Sequence, residues 1–219
     1  MKFLLTSGGL TNESISKALF DLVGKEPKET KLVFIITAAL VDPLNKSWLI
    51  RNLSELQKQN FKTIDILDIS ALPKSNWEPR LIDSDVIFVS GGNTHYLMYW
   101  MKKSGLADLL PELLKTRVYA SISAGSIICG KDMSLSTVKN VYYEELDLDT
   151  SSVEESLHYF DFHIRPHFNN PSFPKANIDF LKETKEKVGD TIYAIDDQSA
   201  LKIIDNSVEV ISEGDWLKF

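Results

Sequence analysis

Three stretches of this chain are apolar without interruption and only three to five residues long: Phe3-Leu4-Leu5, Leu32-Val33-Phe34-Ile35-Ile36 and Val86-Ile87-Phe88-Val89. A fourth run of the same character ends in Ser121-Ile122-Ser123-Ala124-Gly125. Such runs are too short for buried helices and carry no polar face, so they read as strands covered on both sides. Two of them stop in glycine-rich turns, Thr6-Ser7-Gly8-Gly9 and Ser90-Gly91-Gly92-Asn93-Thr94. A strand covered on both faces belongs to a parallel sheet whose crossovers lay helices on each side.

The intervening segments supply those helices. Asn12 is an N-cap residue, and Ile15, Ala18, Leu19, Leu22 and Val23 follow at helical spacing until Gly24 stops the element. A second helix is expected over about 45–59, with Leu49, Leu53 and Leu56 inward. A third runs through Leu97, Met98 and Met101 to Gly105, and a fourth over 106–115, where Pro111 bends or interrupts it. Thr63-Ile64-Asp65-Ile66-Leu67 alternates as an edge strand should. The second half reads as strands over 160–164, 192–195, 201–204 and 208–211, with a helix over 173–188. Residues 134–156 are acidic and aperiodic, which suits a long surface loop or lid. The pattern is that of one α/β domain spanning 1–219, with a mostly parallel sheet and helices on both faces.

Composition removes several functions. Charged residues are 25% of the chain and the formal net charge is −7, which opposes a nucleic-acid-binding surface. No apolar run approaches the ~18 residues of a membrane span. Cys129 is the single cysteine, so no intramolecular disulfide forms; with no signal-peptide pattern after Met1-Lys2, a cytoplasmic location is expected. Trp48, Trp77 and Trp100 are taken as exposed apolar residues suited to a homodimer interface.

Where the fourth strand ends, Ser121 and Gly125 flank Ser123 at a spacing of two. A sharp strand-to-helix turn that lifts a nucleophile out of a sheet tolerates only small neighbours at those positions. The same spacing also occurs in inert turns, so Ser123 needs partners. In open parallel sheets ligands sit beyond the carboxyl ends of the strands, which collects the loops 6–9, 90–94 and 121–125 in one place. Gly91 and Gly92 allow backbone amides to approach a ligand there.

A serine needs a base within hydrogen-bond reach. Of His95, His158, His163 and His167, the last follows Pro166, which ends a strand, and so starts a loop; His163 within that strand points into a packed face. His95 beside the glycines is a weaker substrate-binding candidate, and His158 in an acidic stretch is a solvated residue. The base in turn needs an acid. Asp196 and Asp197 end an apolar strand, and Asp132 lies nine residues after Ser123; the residues leave the choice open. No His/Cys set has metal-ligand spacing, so no metal is expected.

Taken in order, Val89-Ser90-Gly91-Gly92-Asn93-Thr94, Ser121-Ile122-Ser123-Ala124-Gly125-Ser126, Ile164-Arg165-Pro166-His167-Phe168 and Ile195-Asp196-Asp197-Gln198-Ser199-Ala200-Leu201 resemble the peptidase E family of aspartyl dipeptidases, to which cyanophycinases are related. The resemblance implies a flavodoxin-like three-layer α/β/α sandwich, like that of class I glutamine amidotransferases. It implies a serine exopeptidase with Ser123 as nucleophile and His167 as base. Its third member falls on Asp197, with Asp132 as a rival because Lys131-Asp132-Met133 is similar to a second family segment. The amide of Ala124 with that of Gly91 or Gly92 forms the implied oxyanion hole, and Asn93, Thr94 and Arg165 are the substrate-binding candidates. The implied substrate is a small peptide with an acidic N-terminal residue, hydrolysed without a metal or organic cofactor. Isoaspartyl or β-Asp-Arg dipeptides, and a catalytically silent binding protein on the same fold, are the alternatives.

Overall fold

The structure is a computed structural model and describes residues 1–136 and 155–219. Most of the acidic stretch expected as a loop or lid therefore lies outside the described residues. In chain order the first half contains β1 (Lys2–Thr6), α1 (Glu13–Val23), β2 (Lys31–Ile35), α2 (Thr37–Leu40), α3 (Ser47–Lys58), β3 (Thr63–Leu67), α4 (Lys74–Ile82), β4 (Val86–Val89), α5 (Thr94–Lys103), α6 (Leu106–Leu113), β5 (Val118–Ile122) and α7 (Ala124–Ile127). The second half contains β6 (His163–Arg165), α8 (Ile178–Val188), β7 (Ile192–Ile195), β8 (Ser199–Ile204), β9 (Ser207–Ser212) and β10 (Trp216–Lys218).

Seven strands form one sheet in the order β3-β2-β4-β5-β1-β8-β9. The five from β3 to β1 are parallel, and β8 and β9 extend the sheet as antiparallel strands. Alternation along each central strand divides the core in two. Leu4, Leu32, Phe34, Val86, Phe88, Val118 and Ala120 face α1 and α3 through Ile15, Leu19, Leu22, Leu49 and Leu56. Phe3, Leu5, Val33, Ile35, Ile87, Val89 and Tyr119 face the opposite way, against Trp77 and Leu81 of α4 and the apolar faces of α5 and α6. The crossovers from β1 to β3 use one face and those from β3 to β5 use the other, which makes the three-layer sandwich expected of the sequence. At the sheet edge, β3 buries Leu67 but leaves Ile66, on the opposite face and marked as inward by the alternation, exposed.

The helix boundaries follow local chemistry. The Asn12 side chain accepts from the Ile15 amide, and Gly24 closes α1 at φ +73°, in the left-handed region where glycine has no steric penalty. Asn177 caps α8 in the same way, so the helix expected from residue 173 begins at Ile178, after a short 3₁₀ turn over Pro174–Ala176. α6 continues through Pro111 without breaking. α4 was not marked by the sequence because its periodicity is short and Pro79 lies inside it. Its Trp77, expected at the surface, is fully buried and is a core residue rather than an interface residue.

The largest departure concerns the late strands. They do not all join the main sheet: β10, β7 and β6 form a separate three-stranded sheet, with β6 parallel to β7. The strand expected over 160–164 shrinks to three residues, because Phe160 and Phe162 instead stack on each other and pack beside Phe3 and Tyr193. The turn between β7 and β8 thus joins the two sheets, and it carries Asp196 and Asp197.

Candidate active site

β4, β5 and β1 are adjacent and parallel, so their carboxyl ends deliver the loops containing Gly91, Ser123 and Ser7 to one edge of the sheet. There they line a cleft of about 690 Å³, within the size range of small-molecule sites. The walls also include Thr94, Ser136, Arg165, His167, Phe173 and Asp197.

Ser123 sits at φ 46° and ψ −101°, a conformation an L-residue adopts only under constraint from its surroundings. The constraints are visible. The Ser123 amide donates to Thr6 O at 3.0 Å, its carbonyl accepts from the Ser126 and Ile127 amides at 2.9 Å, and the Thr6 hydroxyl donates to Ser121 O at 2.6 Å. Ser126 Oγ donates to Thr6 O, which spends its one proton, so in the 2.8 Å contact between the Ser121 and Ser126 hydroxyls Ser121 is the donor. A serine at 121 therefore stitches the turn instead of merely fitting it. At 125 nothing larger than glycine fits: an added Cβ would stand 2.7 Å from Val89 O and 3.0 Å from Ser121 Cβ.

His167 Nε2 lies 2.8 Å from Ser123 Oγ, and His167 Nδ1 lies 2.7 Å from Asp197 Oδ1. With Nδ1 bearing the proton, Nε2 is left as an acceptor for the serine hydroxyl. The imidazole stacks on Phe173, ring centroids 4.0 Å apart and planes 11° from parallel. Asp197 accepts two further bonds, from Ser7 Oγ at 2.6 Å and from Asn170 Nδ2 at 2.9 Å. Burial pushes its carboxyl up, but the donors His167, Ser7 and Asn170 outweigh burial and hold it down at about 2.

The other acids serve elsewhere. Asp196 accepts from the amides of Gln198 and Asp215 and so fixes the turn between the sheets. Asp132, the rival acid, accepts from the Ser134 amide and stands 3.6 Å from His163, not beside His167. His163 itself is buried, as a residue within that strand should be, and His158 is exposed. Burial pushes the Cys129 thiol up to about 12, which keeps it neutral and inert.

Of the substrate-binding candidates, Thr94 and Arg165 line the cleft and Asn93 does not. The Asn93 carbonyl is taken up in capping α5, where it accepts from the Tyr96 amide at 3.0 Å. Arg165 is only 4% exposed, and Nη1 donates to Leu135 O at 2.9 Å while Nε and Nη2 have no partner among the described residues. Thr94 Oγ1 and Ser136 Oγ, also on the cleft, are likewise buried without partners among the described residues. Burial draws the Arg165 guanidinium down to about 10, which still leaves it charged at neutral pH. Gly91 lies against Ser123: a Cβ there would be 3.4 Å from Ser123 Cβ. At Gly92, φ is +132° and a Cβ would collide with Ala38 O at 2.1 Å, so this position is closed to other residues.

Sequence reasoning missed Ser7, Asn170 and Phe173. Ser7 sat in a loop marked as part of the site, but one serine among Thr6-Ser7-Gly8-Gly9 carries no pattern that identifies its partner. Among the described residues no group of three or more His, Cys, Asp or Glu side chains is placed to hold a metal ion, and no helix is long and apolar enough to cross a membrane.

A serine on a strained strand-to-helix turn, with an imidazole and a carboxylate in line behind it, defines an α/β serine hydrolase. The sequence profile of peptidase family S51 matches residues 3–211, and the chain belongs to that family; it is a serine-type peptidase. An uncharacterized peptidase of Listeria monocytogenes is 28% identical over 145 residues, 64% of this chain and 66% of that one. A peptidase E of Shewanella oneidensis is 32% identical over 114 residues, 51% of this chain and 45% of the relative. Among solved structures, a putative peptidase E protein from Listeria monocytogenes EGD-e superposes with a TM-score of 0.78 at 23% identity, covering 97% of this chain and 98% of that one. A peptidase from an acI-B1 actinobacterium gives 0.62 at 17% identity, covering 100% and 96%. These two similarities describe the fold.

Proposed function

We propose that the protein is an exopeptidase that releases an acidic N-terminal residue from short peptides through an acyl-enzyme on Ser123. The observation that carries the reading is the unbroken line Ser123 Oγ, His167 Nε2, His167 Nδ1, Asp197 Oδ1, at 2.8 and 2.7 Å. In the first half-reaction Ser123 Oγ attacks the peptide carbonyl while His167 takes its proton. The amides of Ala124 and Gly91 or Gly92 receive the oxyanion; among the described residues no acceptor pairs with them. Collapse of the tetrahedral adduct expels the amine, which takes the proton from His167. Water then repeats the sequence on the ester, with His167 again as base. Asp197 stays ionised throughout and holds the imidazolium in place.

Arg165 supports the acidic preference. A buried guanidinium with two nitrogens unpaired among the described residues is costly unless something anionic completes it, and Thr94 and Ser136 offer hydroxyls on the same cleft. On this ground we place the substrate carboxylate on the Arg165 side of the cleft. Asp42 and Glu55, which also line the cleft, favour a second reading, a β-Asp-Arg dipeptide whose guanidinium meets those acids.

The test is hydrolysis of Asp-X, Glu-X, neutral, isoaspartyl and β-Asp-Arg dipeptides by wild type and Ser123→Ala. Turnover of Asp-X that falls at least a thousandfold in the variant is expected. Turnover that survives the substitution overturns the assignment of Ser123, and a preference for β-Asp-Arg selects the second reading.

A further inference from the structure

Ser7, the residue that follows β1, is fully buried. Its hydroxyl makes two bonds that both bear on the acid–base pair. It accepts from the backbone N–H of His167 at 2.8 Å and stands 2.6 Å from Asp197 Oδ1. It is also 3.4 Å from His167 Nδ1.

Proton counting fixes the direction of these bonds. A backbone N–H can only donate, so the hydroxyl oxygen is the acceptor there. An ionised carboxylate can only accept, so the single hydroxyl proton goes to Asp197. None is left for Nδ1, whose own proton also goes to Asp197 Oδ1. The result is a closed ring: His167 N–H to Ser7 Oγ, Ser7 O–H to Asp197 Oδ1, and His167 Nδ1–H to the same oxygen. One small side chain thereby ties the main chain of the base to the carboxylate that orients its ring.

The ring acts where the backbone needs support. His167 has φ +62°, in the left-handed region that non-glycine residues visit at a cost. The main-chain bonds beside it, Phe168 N to Ile195 O and Asn170 N to His167 O, hold the flanks of the turn, not the His167 amide. Among the described residues Asp197 is the charged group in contact with the imidazole.

We propose that Ser7 is a positioning residue for the acid–base pair: it sets the angle of His167 on its backbone and shares the charge on Asp197 Oδ1. It touches neither Ser123 nor the scissile bond. The inference rests on reading Ser123, His167 and Asp197 as the reacting set, but not on the substrate.

The test therefore uses a fluorophosphonate, which labels an activated serine whatever peptide the enzyme prefers. Labelling rate is followed against pH for wild type, Ser7→Ala and the hydroxyl-retaining Ser7→Thr, each checked for a cooperative thermal transition. Loss of one bond to a charged group corresponds to about a 10- to 100-fold slower reaction, expected in Ser7→Ala. Its acid limb should also move to higher pH, because an Asp197 oxygen relieved of one donor attracts the imidazolium more strongly. Ser7→Thr should return both measures toward wild type. Ser7→Ala labelling at the wild-type rate with the wild-type pH profile overturns the proposal. So does equal slowing in both variants with an unmoved acid limb, which assigns the effect to packing. Wild type that fails to label at Ser123 overturns the peptidase reading itself, a separate outcome.

Discussion

At the scale of single residues, the role proposed for Arg165 sets function apart from stability. It lies two residues before His167, at the end of β6, so one strand delivers both the proposed base and the proposed substrate-binding cation. A residue kept for stability would have its donors paired; two of the Arg165 nitrogens have no partner among the described residues. Replacing a buried, incompletely paired charge with an apolar chain of similar length is often neutral or stabilising. Arg165→Met is therefore expected to retain or raise the midpoint of thermal unfolding. The ratio of kcat/KM for acidic over neutral N-terminal residues should meanwhile fall about 10- to 100-fold. A uniform loss on all substrates, or a clear drop in melting temperature, would assign Arg165 to the scaffold instead.

At the scale of elements, the strand-to-helix turns decide what the sheet can present. Gly24 closes one helix and Gly125 lies in the first turn of another, and they are required for different reasons. Gly24 has left-handed φ and open space around it, whereas Gly125 is walled in by Val89 and Ser121. Gly24→Ala should cost about 1–2 kcal/mol from backbone conformation alone, with activity unchanged. Gly125→Ala forces the elbow apart, at a cost of about 1–3 kcal/mol for overpacking, and should abolish labelling of Ser123. Urea unfolding and fluorophosphonate labelling of the two variants check the contrast; equal activity in both would mean the turn absorbs a methyl group without moving the serine.

The same elements explain what a reader of the sequence can and cannot see. β1, β2, β4 and β5 are visible because strands covered on both faces must be apolar throughout. Ser123 and His167 are visible because a turn of small residues and a proline-ended strand are local patterns. Asp197 is ambiguous against Asp196 because a turn of adjacent aspartates gives no sign of which carboxylate meets the imidazole. Ser7 is illegible for a stronger reason: its bonds reach 160 and 190 residues along the chain. The second sheet is hidden likewise, since the apolar run of β7 marks a strand without naming its neighbours, and β10, only three residues long, carries no pattern that marks it as a strand.

At the scale of the whole molecule, the proposed reacting line crosses between the two sheets. Ser123 follows β5 of the large sheet, His167 follows β6 of the small one, and Asp197 lies on the turn from β7 to β8 that links them. The segment after β1 binds that turn: Thr11 Oγ1 donates to Asp197 O at 2.7 Å and Asn12 Nδ2 to Gln198 O at 2.9 Å. Protonating Asp197 should therefore loosen the junction as well as the chemistry. Its carboxyl is held at about 2 in the folded protein, below the ~3.9 of an unfolded chain. A carboxyl depressed on folding contributes stability that is fully present above its unfolded value and is lost as pH falls through its folded value. The contribution of Asp197 should thus be intact above about pH 4 and disappear toward pH 2. Asp85, lowered by Lys25 and Lys31 against the effect of its burial, titrates in the same direction, so wild type alone cannot isolate one group. The comparison is with Asp197→Asn, in which the other acids are unchanged. Urea midpoints measured from pH 5 to pH 2 should fall more steeply in wild type than in the variant, with the two curves converging at the acid end. Parallel curves would mean that Asp197 titrates alike in the folded and unfolded chain, and that the carboxylate between the two sheets orients the base without holding the sheets together.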